Sequence, residues 1–159
     1  MSIQIYTDGA AKGNPGPGGY GTILRFKGKE KEISQGYRET TNNRMELLAV
    51  IVALEALKTT KHTVTVYSDS KYVVDAIEKG WLFGWEKKGF KKKKNVDLWK
   101  RYLPLHRKFS PKYVWVKGHS GHPENERCDR LAVEAAESQD LKIDEGFEAT
   151  KSDGEEGMF

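Results

Sequence analysis

Cysteine is all but absent from this chain. Cys128 is the only one, so no internal disulfide can form, and one thiol without Cys or His at ligand spacing does not make a zinc site. Burial in helix packing is its expected role. Long apolar runs are missing too, and nothing approaches the roughly 18 consecutive apolar residues that mark a membrane helix. The opening "MSIQIYTDG" enters a strand almost at once, which leaves no room for a leader peptide. A cytoplasmic, soluble monomer without membrane attachment is therefore expected. No internal repeat is visible. One apparent motif is also refused: "GPGGYG", residues 16 to 21, matches the dinucleotide fingerprint, but "TILRF" after it reads as strand, whereas the fingerprint requires a helix there. No Lys-Ser or Lys-Thr pair follows either, which excludes a Walker phosphate loop. A glycine- and proline-rich connection between two strands is the simpler reading.

What is present suits one domain, since 159 residues suffice to bury a core. The net charge of +4 is unevenly spread. Residues 87 to 101 carry eight basic groups against Asp97, and residues 140 to 159 carry seven acids against Lys142 and Lys151. The basic block suits a polyanionic partner, although lysine runs are often only solvated surface. The acidic stretch 139–159 reads as a flexible tail behind a domain of residues 1–138.

Three strands are expected first, over 3–7, 20–26 and 32–37, then a largely buried helix in "RMELLAVIVALEALK". A strand over 63–68 leads into a helix closed by Gly80. A short helical piece around "WLFGWEKK", a helix over 96–108, the strand "YVWV" and a helix from Pro123 complete the domain. Hairpins followed by crossovers imply a mixed sheet in an α/β fold. Trp99 and Trp115 are expected in the core.

Two strands share a phrase. "IQIYTDG" ends on Asp8 and "VTVYSDS" on Asp69, each acid two residues past a tyrosine and so on the tyrosine's face. Each acid alone has an ordinary explanation: Asp8 in a turn, Asp69 as a helix cap, Glu46 in a capping box with Asn43, Asp129 paired to a neighbouring arginine. Together they are harder to dismiss. If the two strands are neighbours, Asp8 and Asp69 stand about 5 Å apart, and charges at about 4 Å repel by roughly 4 kcal/mol at an effective dielectric of 20. Glu46 shares the core-side face of its helix with Val50, and Asp129 lines up with Ala132 and Val133. Inward-facing oxygen ligands without a His or Cys cluster call for a hard cation, Mg2+ or Mn2+ rather than zinc. Paired ions of this kind serve phosphoryl transfer, and the basic surface makes nucleic acid the natural substrate.

The phrases "YTDGAAKGNPGPGGYG", "TTNNRMELLAVIVALEAL", "SDSKYVV", "NVDLW" and "VKGHSGHPENERCD", in order over roughly residues 3 to 137, resemble the type 1 ribonucleases H, especially the bacterial ribonuclease HI enzymes. The resemblance implies a ribonuclease H-like fold with a five-stranded mixed sheet, order 3-2-1-4-5, flanked by helices. It also implies an endonuclease that hydrolyses the RNA strand of an RNA/DNA hybrid with two Mg2+ ions, Mn2+ being a substitute, and leaves 5'-phosphate and 3'-hydroxyl ends. Asp8, Glu46, Asp69 and Asp129 are then the catalytic, metal-holding acids, and His119 the mobile histidine that assists proton transfer or product departure. Asn14, Asn42 and Glu46 are expected along the RNA strand, with Thr41 and Asn95 on a DNA phosphate. Residues 81–95 resemble the family's basic handle, where Trp81 and Trp85 offer a face to deoxyribose while Lys87, Lys88, Lys91, Lys92, Lys93 and Lys94 meet phosphates. Core packing is an equal expectation for Trp85. The alternative is a non-catalytic nucleic-acid binding module of the same fold.

Overall fold

Alternation of apolar and polar residues carries the first three strands further than their apolar centres suggest: β1 runs Ser2–Ala11, β2 Gly16–Phe26 and β3 Lys29–Thr40. The computed structural model describes residues 2–118 and 121–156. Helix α1 (Asn42–Glu55) follows, then β4 (Thr63–Ser68), α2 (Lys71–Glu78), α3 (Trp81–Lys87), α4 (Val96–Phe109), β5 (Lys112–Trp115) and α5 (Pro123–Glu137). Two further elements were not expected, the short strand β6 (Leu141–Lys142) and helix α6 (Glu145–Glu156).

The sheet order is β5-β4-β1-β2-β3-β6. The expected 3-2-1-4-5 arrangement is therefore present, with a sixth strand added because Leu141 and Lys142 pair in parallel with Gly36 and Tyr37 at the β3 edge. Strands β1, β2 and β3 form antiparallel hairpins, and β4 joins β1 in parallel through the α1 crossover. Successive residues of β1 face opposite layers. Ile5 enters the large core with α1, α2 and α4, while Tyr6 packs with Ile23 and the buried Cys128 of α5.

Over residues 141–156 the expected flexible tail is replaced by β6 and α6, and the last residues, 157–159, lie outside the described ones. Asp144 is buried, and its carboxylate accepts from the Thr40 hydroxyl at 2.7 Å and the Arg44 Nε at 2.8 Å. Arg44 also donates to Asp97 at 2.8 and 2.7 Å. Composition alone suggested disorder, but a buried guanidinium needs carboxylate partners, and the C-terminal segment supplies one. Removing one member of such a buried group costs about 3–5 kcal/mol. Trp115 is a second correction: it lies on the edge strand β5 and is 43% exposed, whereas Trp99 is fully buried. An edge strand has one neighbour and only part of its surface is covered.

The glycine-rich stretch is also strand rather than mere connection, since β2 begins at Gly16 with an irregularity between Gly16 and Gly18. Its composition has a packing cause. A Cβ on Gly21 would stand 2.6 Å from the Cys128 carbonyl oxygen and from the Leu131 Cβ, so α5 can lie against the sheet only over bare backbone. Gly21→Ala is expected to cost about 1–3 kcal/mol through overpacking, read as a lower urea midpoint with unchanged slope.

Candidate active site

The repeated phrases meet in register. Tyr6 pairs with Tyr67 and Thr7 with Ser68 across the parallel β1–β4 ladder, and the two tyrosine rings stack at 4.9 Å. One residue further, Asp8 still lies within β1, paired with Gly21, while Asp69 stands just past the end of β4, so the expectation that both acids end their strands holds only for Asp69. The helix after β4 is capped by Ser70, whose side chain accepts from the Val73 N–H, so Asp69 is not the capping residue. Likewise α1 is capped by Thr41, which accepts from the Arg44 N–H. Glu46 lies deeper in that helix, outside any capping box, and turns toward β1.

Gly9 makes the approach of β1 to α1 possible, because a Cβ there would stand 2.4 Å from the Glu46 nitrogen. Carboxylate oxygens of Asp8, Glu46 and Asp69 consequently lie within 4.8 Å of one another. Asp8 and Glu46 are buried, and the Glu46 Oε2 atom has no hydrogen-bond partner. Asp8 accepts from the Gly9 N–H at 2.9 Å. Burial drives the Asp8 pKa up to about 8, with the charges of Asp69 and Asp129 adding to the rise against the hydrogen bonds to Glu46 and Gly9. Burial likewise lifts Glu46 well above the carboxylate range, reinforced by Asp8 and Asp69. Asp129, half-buried on α5, stands outside the three-acid cluster but contributes to its field. His119 lies outside the described residues.

A polar groove of about 540 Å³ is lined by Asn14, Thr41, Lys93, Lys94 and Asn95, with Gly146, Phe147 and Thr150 of α6 on another side. Asn14 accepts from the Asn42 N–H at 3.1 Å, which holds the β1–β2 connection to the start of α1. Lys93 and Lys94 of the groove, and Lys87, Lys88, Lys91 and Lys92 beyond it, are all exposed. Trp81 is 49% exposed under Lys79, while Trp85 sits edge-on to Trp99 with Lys93 over its ring. Trp85 thus belongs partly to the core and partly to the basic surface.

A family profile described as RNase H matches residues 1–137. The chain belongs to the ribonuclease H family. It is 57% identical over 147 residues to a ribonuclease H of Desulforamulus reducens, covering 89% of this chain and 92% of that protein. A ribonuclease H of Salmonella arizonae is 56% identical over 153 residues, covering 92% and 96%. Among solved structures, LC9-RNase H1, a type 1 RNase H with the type 2 active-site motif, superposes with a TM-score of 0.76 at 32% identity, covering 87% of this chain and 73% of that one. LC11-RNase H1 in complex with an RNA/DNA hybrid gives 0.65 at 29% identity, covering 85% and 96%. Ribonucleases H are nucleases that cleave RNA paired to DNA, so the acidic cluster lies in a nuclease framework.

Reasoning from sequence missed Arg44, Tyr72, Asp97 and Asp144. The readable signal was Arg44 itself, the one basic residue in α1 and placed at the start of its apolar run.

The raised Asp8 pKa has a direct consequence for stability. Its folded value of about 8 lies above the ordinary 3.8, so the stabilising contribution is complete below about pH 4 and is lost as pH rises toward 8. In the metal-free protein, Asp8→Asn is expected to raise stability at pH 8–9 by more than about 1 kcal/mol and to leave it nearly unchanged at pH 4. Denaturant melts of both proteins across that range, in chelator, check this.

Proposed function

We propose that this chain is an endoribonuclease that hydrolyses the RNA strand of RNA/DNA hybrids, with Asp8, Glu46, Asp69 and Asp129 holding two Mg2+ ions. The observation that carries the proposal is the convergence of three carboxylates within 4.8 Å, one with a buried oxygen that no protein group satisfies. Oxygen donors of this density fit a hard divalent cation, which would offset the burial, and with it the mutual repulsion, that raises Asp8 and Glu46. Mn2+ fits the same donors. Bound ions of this class supply Lewis-acid polarisation of the phosphate and lower the pKa of water.

The protein's own groups then orient and exchange protons. Asp8 and Asp69, fixed by the β1–β4 ladder, define where the scissile phosphate sits, and Glu46 reaches the RNA side from α1. A water oxygen bonds to phosphorus while the bond to the 3' oxygen breaks. The water's proton leaves through His119 or bulk solvent, the departing 3' oxygen gains one, and the ends are 5'-phosphate and 3'-hydroxyl. Asn14 and Asn42 lie beside Glu46 along the RNA strand, and reading the 2'-hydroxyl across a wide minor groove distinguishes RNA from DNA. Thr41 and Asn95 hold a phosphate of the DNA strand. The exposed face of Trp81 meets deoxyribose, assisted by Trp85, while Lys87, Lys88 and Lys91 to Lys94 neutralise phosphates. The hybrid carried by the LC11-RNase H1 relative supports this substrate.

The decisive assay offers RNA/DNA, RNA/RNA and DNA/DNA duplexes in Mg2+. Cleavage confined to the RNA of the hybrid is expected, and Asp69→Asn should abolish it while the fold is retained. Near-normal turnover of that variant would refute the metal assignment. Replacing Lys91, Lys92, Lys93 and Lys94 together by alanine should weaken hybrid binding chiefly at low salt and flatten the dependence of log K on log salt. The rate at saturation should persist, and an unchanged slope would return the four lysines to plain solvated surface.

A further inference from the structure

The buried guanidinium of Arg44 has all its N–H groups engaged. Nε and Nη2 donate to Asp144 at 2.8 and 2.9 Å, Nη1 and Nη2 to Asp97 at 2.8 and 2.7 Å, and Nη1 also to the side-chain oxygen of Asn95 at 3.4 Å. A planar fork between two carboxylates has one orientation. Asn95 is therefore held from two sides, since its amide nitrogen donates to the Tyr72 hydroxyl at 3.0 Å. Its backbone is left-handed, with φ 62° and ψ 29°. Asparagine is among the few non-glycine residues that adopt this conformation readily, and here both ends of its side-chain amide are held.

Asp144 links this lock to the other side of the groove. It accepts from Thr40, the residue before Thr41, and from the Phe147 N–H at 3.3 Å, which caps the first turn of α6. Gly146 completes the fit. A Cβ there would stand 2.0 Å from the Asp97 Oδ2 and 2.9 Å from the Arg44 Nη2, so only a bare backbone can lie over this ion pair. Gly146, Phe147 and Thr150 then face the same groove as Thr41 and Asn95.

We propose that the C-terminal segment from Asp144 to Thr150 is a positioning element of the groove that holds the DNA strand: Asp144, acting through Arg44, sets Asn95 in the orientation that receives a phosphate. Asp144 touches no reacting atom. It acts by limiting the conformations of Asn95 before the hybrid arrives, so its contribution is to binding rather than to the bond-breaking step. This inference rests on the assignment of Thr41 and Asn95 to a phosphate.

The experiment uses the full chain, an RNA/DNA hybrid and Mg2+, well below the melting temperature of each variant. Asp144→Ala is expected to raise KM three- to ten-fold with kcat within about twofold, and to lower the melting temperature. Asp144→Asn, which keeps one oxygen for Arg44 Nε and Thr40 but turns an amide NH2 toward Arg44 Nη2 and the Phe147 N–H, should restore the KM only in part. Gly146→Ala leaves every charge in place but displaces α6 or Asp97, and should raise KM as Asp144→Ala does, so the test survives if Asp144→Ala does not fold. Combined with Asn95→Ala, Asp144→Ala should add little further to KM, because both act on one group. A lower melting temperature with unchanged KM in the folded variants, while Asn95→Ala raises KM, would reduce Asp144 to a stabilising contact and overturn the proposal. Unchanged KM in Asn95→Ala and Thr41→Ala as well would overturn the phosphate assignment and this inference with it.

Discussion

The burial of mutually repelling carboxylates where the β1–β4 ladder ends is the constraint around which this molecule is arranged. The parallel ladder of β1 and β4 brings Asp8 and Asp69 to the same level, and Gly9 lets α1 bring Glu46 close enough to join them. Asp8 and Glu46 are buried and so have little room to separate, while Asp69 is only partly covered. The strain appears instead as proton affinity: burial and like charge drive Asp8 and Glu46 upward. Such a site is prepared for a cation, and the hydrophobic layers on either side of the sheet are what keep it from opening.

The same molecule solves the opposite problem at Arg44. There a cation is buried, and two carboxylates from distant parts of the chain neutralise it; burial works against its charge, yet Asp97 and Asp144 outweigh that and keep it protonated. The two buried clusters sit on one helix, Arg44 in its first turn and Glu46 two residues later. Helix α1 therefore fixes the acidic centre on one side and the polar groove with Thr41 and Asn95 on the other. A substrate that spans both would be registered by one rigid element, so that a phosphate held in the groove sets the position of the strand at the acids.

The lysine-rich segment 87–94 is connected to this frame by aromatic contacts rather than by charge. Trp85 packs edge-on to the buried Trp99, and Trp99 donates its indole N–H to the Tyr72 hydroxyl that also receives Asn95. The lysines themselves remain in solvent. Exposed lysines attract a polyanion at long range, and that attraction needs exposure and not a fixed geometry.

The central pairing of the first and fourth strands was implied only by the family resemblance, whereas the sequence by itself determined the order of the elements through α5 and the acids that follow its repeated strand phrases. These are written in short-range patterns: apolar alternation in "IQIYT" and "VTVYS", a buried helix in "LLAVIVALEAL", and a repeated Tyr-x-Asp that marks matching faces. Local pattern also misled, since the acidic composition after Gln139 describes a flexible tail and the indole of Trp115 describes a core residue. What only the tertiary structure decided was the fate of those two and the closing of the groove. Asp144 meets Arg44 one hundred residues away in the chain, and Trp115 is exposed because its strand has no neighbour on one side. Neither fact has a local signature, because burial of a charge and the edge of a sheet are properties of the packed layers, which exist only once residues far apart in the chain have come together.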